Sequence, residues 1–357
     1  MINRQAPSLL PRAATTALLA TAALLLAACG SSSESSSATD ATADSQSKNG
    51  GRSVTVYTGR HYGIEPVFDA FTASTGIKVR FVAGKDPELR ERLTVEGANT
   101  PADVIMTADA ANIELAAKAG LLASVDSGPL AGAIPAELRS KDRNWFSLSK
   151  RARVIVASKD RVTEPPTTYA ALGDPKWKGK LCLRPSTHPY TQSLVASMIV
   201  AEGEARAQEI VSSWVANDPL YIDSDTDIYQ AVAKGDCDVA IANTYYLGRL
   251  LKANADFPVR IVWPEPDGRG AHINVSTAAV TANAPNRAGA VALIEWLATG
   301  GQKQFADVNF EYPANPTVAP DPIVASFGEF NADLAAVRRL GANQPAAVEL
   351  LSRAGYK

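Results

Sequence analysis

Along most of the chain, short apolar runs alternate with stretches whose apolar residues recur every three or four positions. Residues 53–57 (SVTVY) alternate at the period of a strand, and 65–74 place Val67, Phe68 and Phe71 on one helical face. Gly76 ends that helix. Residues 77–82 then read as a strand, 87–96 as a helix, 102–107 as a strand, and 113–119 as a helix closed by Gly120. A second series of the same kind follows 177–179 (WKG), with strands at 180–183, 221–223 and 238–242. Its helices fall at 191–205, 228–234 and 245–253. Between the series, 153–157 (RVIVA) reads as a strand crossing from one to the other, and 272–281 as a strand crossing back. Strands alternating with helices predict an α/β body with mainly parallel pairing. Two series and two crossings predict two lobes with a cleft between them.

The N-terminal segment has a different pattern. Arg4 and Arg12 precede an uncharged Leu- and Ala-rich run at 13–28, short for a membrane span but of the right length for the apolar region of a secretory signal. The run ends in LAACG at 26–30, which resembles a bacterial lipobox and makes Cys29 the lipidated N-terminus of the mature chain. Residues 30–51 hold eight serines and nothing aliphatic larger than alanine. Such a stretch buries too little apolar surface to offset its ordering entropy and reads as a tether. The expected organisation is a lipoprotein signal peptide at 1–28 and a disordered Ser-rich tether at 29–52. Lobe one then comprises 53–153 plus 272–316, and lobe two 154–271 plus 317–357. The protein is expected to be exported, as a periplasmic or cell-surface lipoprotein.

Composition narrows the function. The 357 residues are 46% hydrophobic and 20% charged with a net charge of −2, which excludes wholesale disorder and offers no basic face for nucleic acid. Three cysteines and three histidines nearly exclude a zinc cluster built from those residues. There is no Gly-x-Ser-x-Gly elbow, no His-Glu-x-x-His and no phosphate-cradling loop, so an enzyme is not expected. The tyrosines are more informative. His61-Tyr62 follows the first strand, Tyr190 follows the strand at 180–183, and Tyr245-Tyr246 follows the strand at 238–242. All three places lie at carboxyl ends of strands, where open α/β sheets form ligand crevices.

A set of motifs accompanies these residues: GRHY at 59–62, VEGAN at 95–99 with PADV at 101–104, SKRARV at 149–154 and DPKWKG at 174–179. It continues with YTQSL at 190–194, ANTYY at 242–246, GAHINV at 270–275, NFEYP at 309–313 and ASFGE at 325–329. In this order the motifs resemble the ferric-iron-binding proteins that serve bacterial ABC importers, over 54–357. The resemblance implies the type II periplasmic-binding-protein fold, two α/β lobes joined by two hinge strands with metal in the cleft. It also implies an ABC-importer permease and its ATPase as partners and a monomeric receptor. In the four-tyrosine, one-histidine subgroup the metal ligands fall on His61, Tyr62, Tyr190, Tyr245 and Tyr246. Fe(3+) is then the transported ligand, with no catalytic cofactor.

Elementary chemistry favours the same ligands. Fe(III) is a small, hard cation suited to anionic oxygen, and a phenol with a pKa near 10 must lose its proton to serve it. Four phenolates and a neutral imidazole leave surplus negative charge around a trivalent ion, which calls for a cation nearby. Arg60 and Arg184 are near the ligands in sequence and are candidates for it, though each reads more readily as a lobe-surface or loop-fixing residue; the segment at 214–223, where relatives carry an arginine, has none. Asp223 and Asp225 read as solvated loop residues, His272 as a hydrogen-bonded hinge residue, and the five tryptophans as packing. His188, two residues before Tyr190, either orients that loop or contributes to the site. In an oxidising compartment with Cys29 lipidated, Cys182 and Cys237 on neighbouring strands are expected to form a disulfide, two buried thiols being the alternative. The competing function is capture of an organic solute, such as a polyamine, thiamine or a sugar, on the same fold.

Overall fold

The computed structural model describes residues 53–60 and 63–357. The expected signal peptide, the tether, Cys29 and the His61-Tyr62 pair lie outside the described residues. The first series comprises β1 (Ser53–Thr58), α1 (Glu65–Thr75), β2 (Lys78–Ala83), α2 (Asp86–Glu96), β3 (Val104–Thr107), α3 (Ala110–Lys118) and a short α4 (Gly128–Ala133). β4 (Phe146–Ser158) leads to β5 (Leu181–Leu183), α5 (Pro189–Glu202), α6 (Glu204–Ala216) and β6 (Leu220–Tyr221). Then come α7 (Asp225–Lys234), β7 (Val239–Asn243), α8 (Thr244–Ala253), β8 (Val259–Val262) and β9 (Ile273–Val280). The chain finishes with α9 (Arg287–Ala298), α10 (Gln302–Asp307), β10 (Tyr312–Pro313), α11 (Pro322–Ala325), α12 (Leu334–Val337) and α13 (Leu340–Arg353).

The strands form one hydrogen-bonded path, β2-β1-β3-β9-β4-β7-β5-β6, with β8 and β10 also paired to β4. β1 lies parallel between β2 and β3, and β5 lies parallel between β6 and β7. β4 belongs to both halves: Phe146 to Ala152 pair with β9, whereas Arg153 to Ala157 pair with β7. The crossing strand is therefore much longer than 153–157, because the polar positions Ser147 and Ser149 are buried and interrupt its apolar pattern. β9 does not itself cross back. It lies between β3 and β4 in the first half, and the return occurs just before it, where the Arg153 N–H donates to the His272 carbonyl at 2.9 Å.

Local chemistry sets the helix limits. α1 opens with Pro66 in its first turn and buries Val67, Phe68 and Phe71. Gly76 stops it at φ 73°, a conformation that glycine adopts without a side-chain clash. The helix expected at 191–205 matches α5 from its third residue to its end and runs two residues into α6, past a break at Gly203 with φ 84° and ψ 161°. Trp145 and Trp214 are fully buried, each with its indole N–H bonded, to Glu114 and to the Tyr169 carbonyl. Cys182 on β5 is joined by a disulfide to Cys237, just before β7. α13 packs on both α3 and α5, so the C-terminal helix touches both halves. Its Gly341 lies so close to α3 that an added β-carbon would stand 2.9 Å from the Ala111 carbonyl oxygen.

Candidate functional site

β5 and β7 are parallel neighbours, so their carboxyl ends stand side by side. Beyond β5 the chain turns into α5, where His188 caps the helix by accepting the Tyr190 N–H on Nδ1 at 3.1 Å. Beyond β7 there is no loop: Asn243 is both the last strand residue and the cap position of α8. Tyr245 and Tyr246 thus fall in the first turn of a helix. In a continuous strand they would point to opposite faces, whereas successive helical residues are about 100° apart. Their ring centroids lie 4.0 Å apart at 30°. The Tyr190 and Tyr245 hydroxyl oxygens are 3.3 Å apart. Three phenols therefore meet at two helix N-termini, where backbone N–H groups and helix dipoles favour negative charge. The described residues contain no group of three or more His, Cys, Asp or Glu side chains that could hold a metal.

The neutral phenol is the resting state of Tyr245. Burial drives the Tyr245 pKa well above 10, the Tyr190 and Tyr246 phenols push it further, and Arg151 opposes them. Ionisation then needs an incoming cation to offset both burial and mutual repulsion. Fixed positive charge is already present: Arg151 and Arg153 lie 5.4 and 5.8 Å from the Tyr190 ring centre, and Arg249 lies 5.2 and 5.6 Å from those of Tyr245 and Tyr246. Burial disfavours the Arg151 charge, but Tyr190, Glu311, Tyr245 and Asp109 hold its pKa above the ordinary value.

The two arginines singled out in the sequence have other tasks. Arg60 is buried and bonds through Nη1 to Glu311 at 2.8 Å and to Ser149 at 3.0 Å. Arg184 stands 3.7 Å from Asp225, which Arg153 engages at 2.7 Å. Asp225 is consequently not a solvated loop residue. Ser224 caps α7 and turns Asp225 into the helix's first turn, fully buried against the two guanidinium groups. Sequence reasoning missed Arg151 and Arg153 as the cations beside Tyr190, although their spacing of two along a strand places both on one face. His188 is held near a pKa of about 3 by burial and by Arg184 and Arg153, so it is neutral, with Nδ1 occupied by the Tyr190 N–H. It orients the loop. His272 is fully buried, its Nε2 is 3.0 Å from the Ser193 hydroxyl, and its N–H donates to the Tyr169 hydroxyl oxygen. The first-half candidates His61 and Tyr62 are outside the described residues, but their flanks are fixed. The Gly59 N–H donates to the Met106 carbonyl at 2.9 Å, and Gly63 faces Val308.

Two α/β halves sharing a long strand, with polar side chains gathered at strand ends, define a class. Residues 67–332 match the model of the bacterial extracellular solute-binding proteins, and the chain belongs to that family. Its fold is the type II periplasmic-binding-protein fold. Among individual proteins it is similar to iron uptake protein A1 of Synechocystis, at 43% identity over 86% of this chain and 88% of that one. It is also similar to the major ferric iron-binding protein of Neisseria meningitidis, at 28% identity over 90% and 95% of the two chains. The structure of the Trichodesmium protein IdiA (FutA), solved in complex with iron and citrate ligands, superposes with a TM-score of 0.80. It is 39% identical, covering 85% of this chain and 100% of that one.

Proposed function

We propose that this protein is the substrate-binding component of an ABC importer, which captures Fe(III) in the cleft between its two halves and delivers it to a membrane permease energised by an ATPase. The observation that carries this reading is the convergence of Tyr190, Tyr245 and Tyr246 at two helix N-termini beside three arginines. Tyr62 and His61 complete the ligand set from the loop after β1. Each phenol gives up its proton as its oxygen engages the metal, and the released protons pass to solvent. Arg151, Arg153 and Arg249 offset the surplus negative charge of the loaded site. The work done is binding and hand-over, not catalysis. Lobe one is 53–153 plus 272–316, and lobe two is 154–271 plus 317–357. Closure through 153–157 and 271–275 distinguishes loaded from empty protein for the permease. Cys29 carries the lipid that keeps the monomeric receptor at a membrane.

Metal analysis and a visible spectrum of protein purified without chelators test this directly. The expected result is stoichiometric iron and a red to violet colour from phenolate-to-ferric charge transfer. Colourless protein carrying an organic solute, and unable to take up Fe(III), would contradict it.

A further inference from the structure

A segment that contributes no ligand packs on residues that neighbour the candidate ligands in sequence. Residues 308–311 (VNFE) connect α10 to β10, and they touch the flanks of His61-Tyr62 and of Tyr245-Tyr246. On one side, a β-carbon added to Gly63 would lie 3.5 Å from the Val308 β-carbon, and Glu311 holds Arg60 at 2.8 Å. Arg60 and Gly63 bracket His61-Tyr62. On the other side, a β-carbon added to Gly248 would come within 2.7 Å of the Phe310 β-carbon, and Arg249 donates through Nη2 to Asn309 Oδ1. Gly248 and Arg249 lie one helical turn beyond Tyr245 and Tyr246, on the same face. Phe310 holds φ at 54°, a left-handed conformation that a bulky residue adopts only when its surroundings enforce it.

Asn309 links the two sides. Its Oδ1 accepts from Arg249, and its Nδ2 donates to Glu311 Oε1 at 2.6 Å, so an unbroken polar chain runs Arg249–Asn309–Glu311–Arg60. We propose that Asn309 is a positioning residue that ties the tyrosine turn of α8 to the Glu311–Arg60 pair of the first half, an inference that rests on the ligand set proposed above. The amide suits this place because it offers an acceptor to a guanidinium and a donor to a carboxylate while adding no charge. A carboxylate there would repel Glu311, and an ammonium would repel Arg249. By holding Arg249, Asn309 also fixes the cation that lies over the Tyr245 and Tyr246 rings.

The test is stopped-flow release of Fe(III) from the loaded mature chain to excess chelator, followed at the visible band, in Asn309→Ala and Asn309→Asp. Asn217→Ala serves as the structural control, since Asn217 is equally buried, donates to the Leu172 and Asp174 carbonyls, and pairs with Gly179 before the start of β5, whereas Tyr190 follows its end. Both Asn309 variants are expected to release iron roughly tenfold faster, the lower end of the range for losing a direct outer partner of a metal ligand because Asn309 acts through Arg249, with a shifted band maximum. Asn217→Ala is expected to lower the melting temperature and leave release and band unchanged. Should Asn309→Ala fail to fold, Asn309→Asp keeps the side-chain shape and carries the comparison. Wild-type release and band in the folded Asn309 variants, or the same change in Asn217→Ala, would overturn the proposal. A wild-type chain that develops no ferric band removes the ligand set itself, and this inference falls with it.

Discussion

At the scale of single residues, the site depends on where charges are buried. Asp225 has no solvent exposure and faces Arg153 and Arg184, so its removal strands two guanidinium groups inside the protein. Asp225→Ala is expected to cost about 3–5 kcal/mol in urea unfolding, the range for breaking a buried pair by deleting one partner. A loss below about 1 kcal/mol, the range of an exposed pair, would mean that water reaches this cluster. The carboxylate was hard to place from sequence because its partners come from β4 and from the end of β5, dozens of residues away. The tyrosines were easier. Tyr245 and Tyr246 follow an apolar run that ends directly at a helix start, and Tyr190 follows one by a short polar loop, so both junctions are local in sequence.

Secondary-structure elements followed local pattern wherever the pattern was local. The apolar spacing of α1 and the alternation of β1 locate them to within a residue or two. The departures have physical reasons. β4 is extended by buried serines that look polar in sequence, with Ser149 satisfied by Glu311 and Arg60. The helix expected at 191–205 overruns the end of α5 because Gly203 is a single residue between helix-forming neighbours. Its φ of 84° and ψ of 161° lie in a region that other residues essentially do not enter, and no atom lies within 4 Å of an added β-carbon. Gly203→Ala should therefore cost about 1–3 kcal/mol through backbone strain alone. Guanidinium unfolding monitored by circular dichroism reads this. An unchanged midpoint would show that α5 and α6 can join as a continuous helix.

For the whole molecule, topology makes the tyrosine cluster a hinge-adjacent site. β4 leaves the first half and enters the second between Ala152 and Arg153, and Arg151 and Arg153 on either side of that point lie beside Tyr190. Two of the three cations that face the phenols are thus mounted on the strand that joins the halves, the third, Arg249, being on α8. The proposal that tyrosine phenolates hold the ferric ion is open to direct test. The most direct measurement is titration of the mature protein with Fe(III) across pH, followed by visible absorbance, in wild type, Tyr190→Phe and Tyr245→Phe. Phenylalanine keeps the ring packing and removes only a hydroxyl, so both variants should fold. Because the free Tyr245 phenol has its pKa raised well above 10, it is protonated throughout the neutral range, and protons compete with iron for every phenolate. Affinity should therefore fall as pH falls, less steeply in each variant, which has one proton fewer to displace. Weaker binding and a diminished, shifted charge-transfer band in both variants are the predicted result; wild-type affinity and spectrum in both would contradict it.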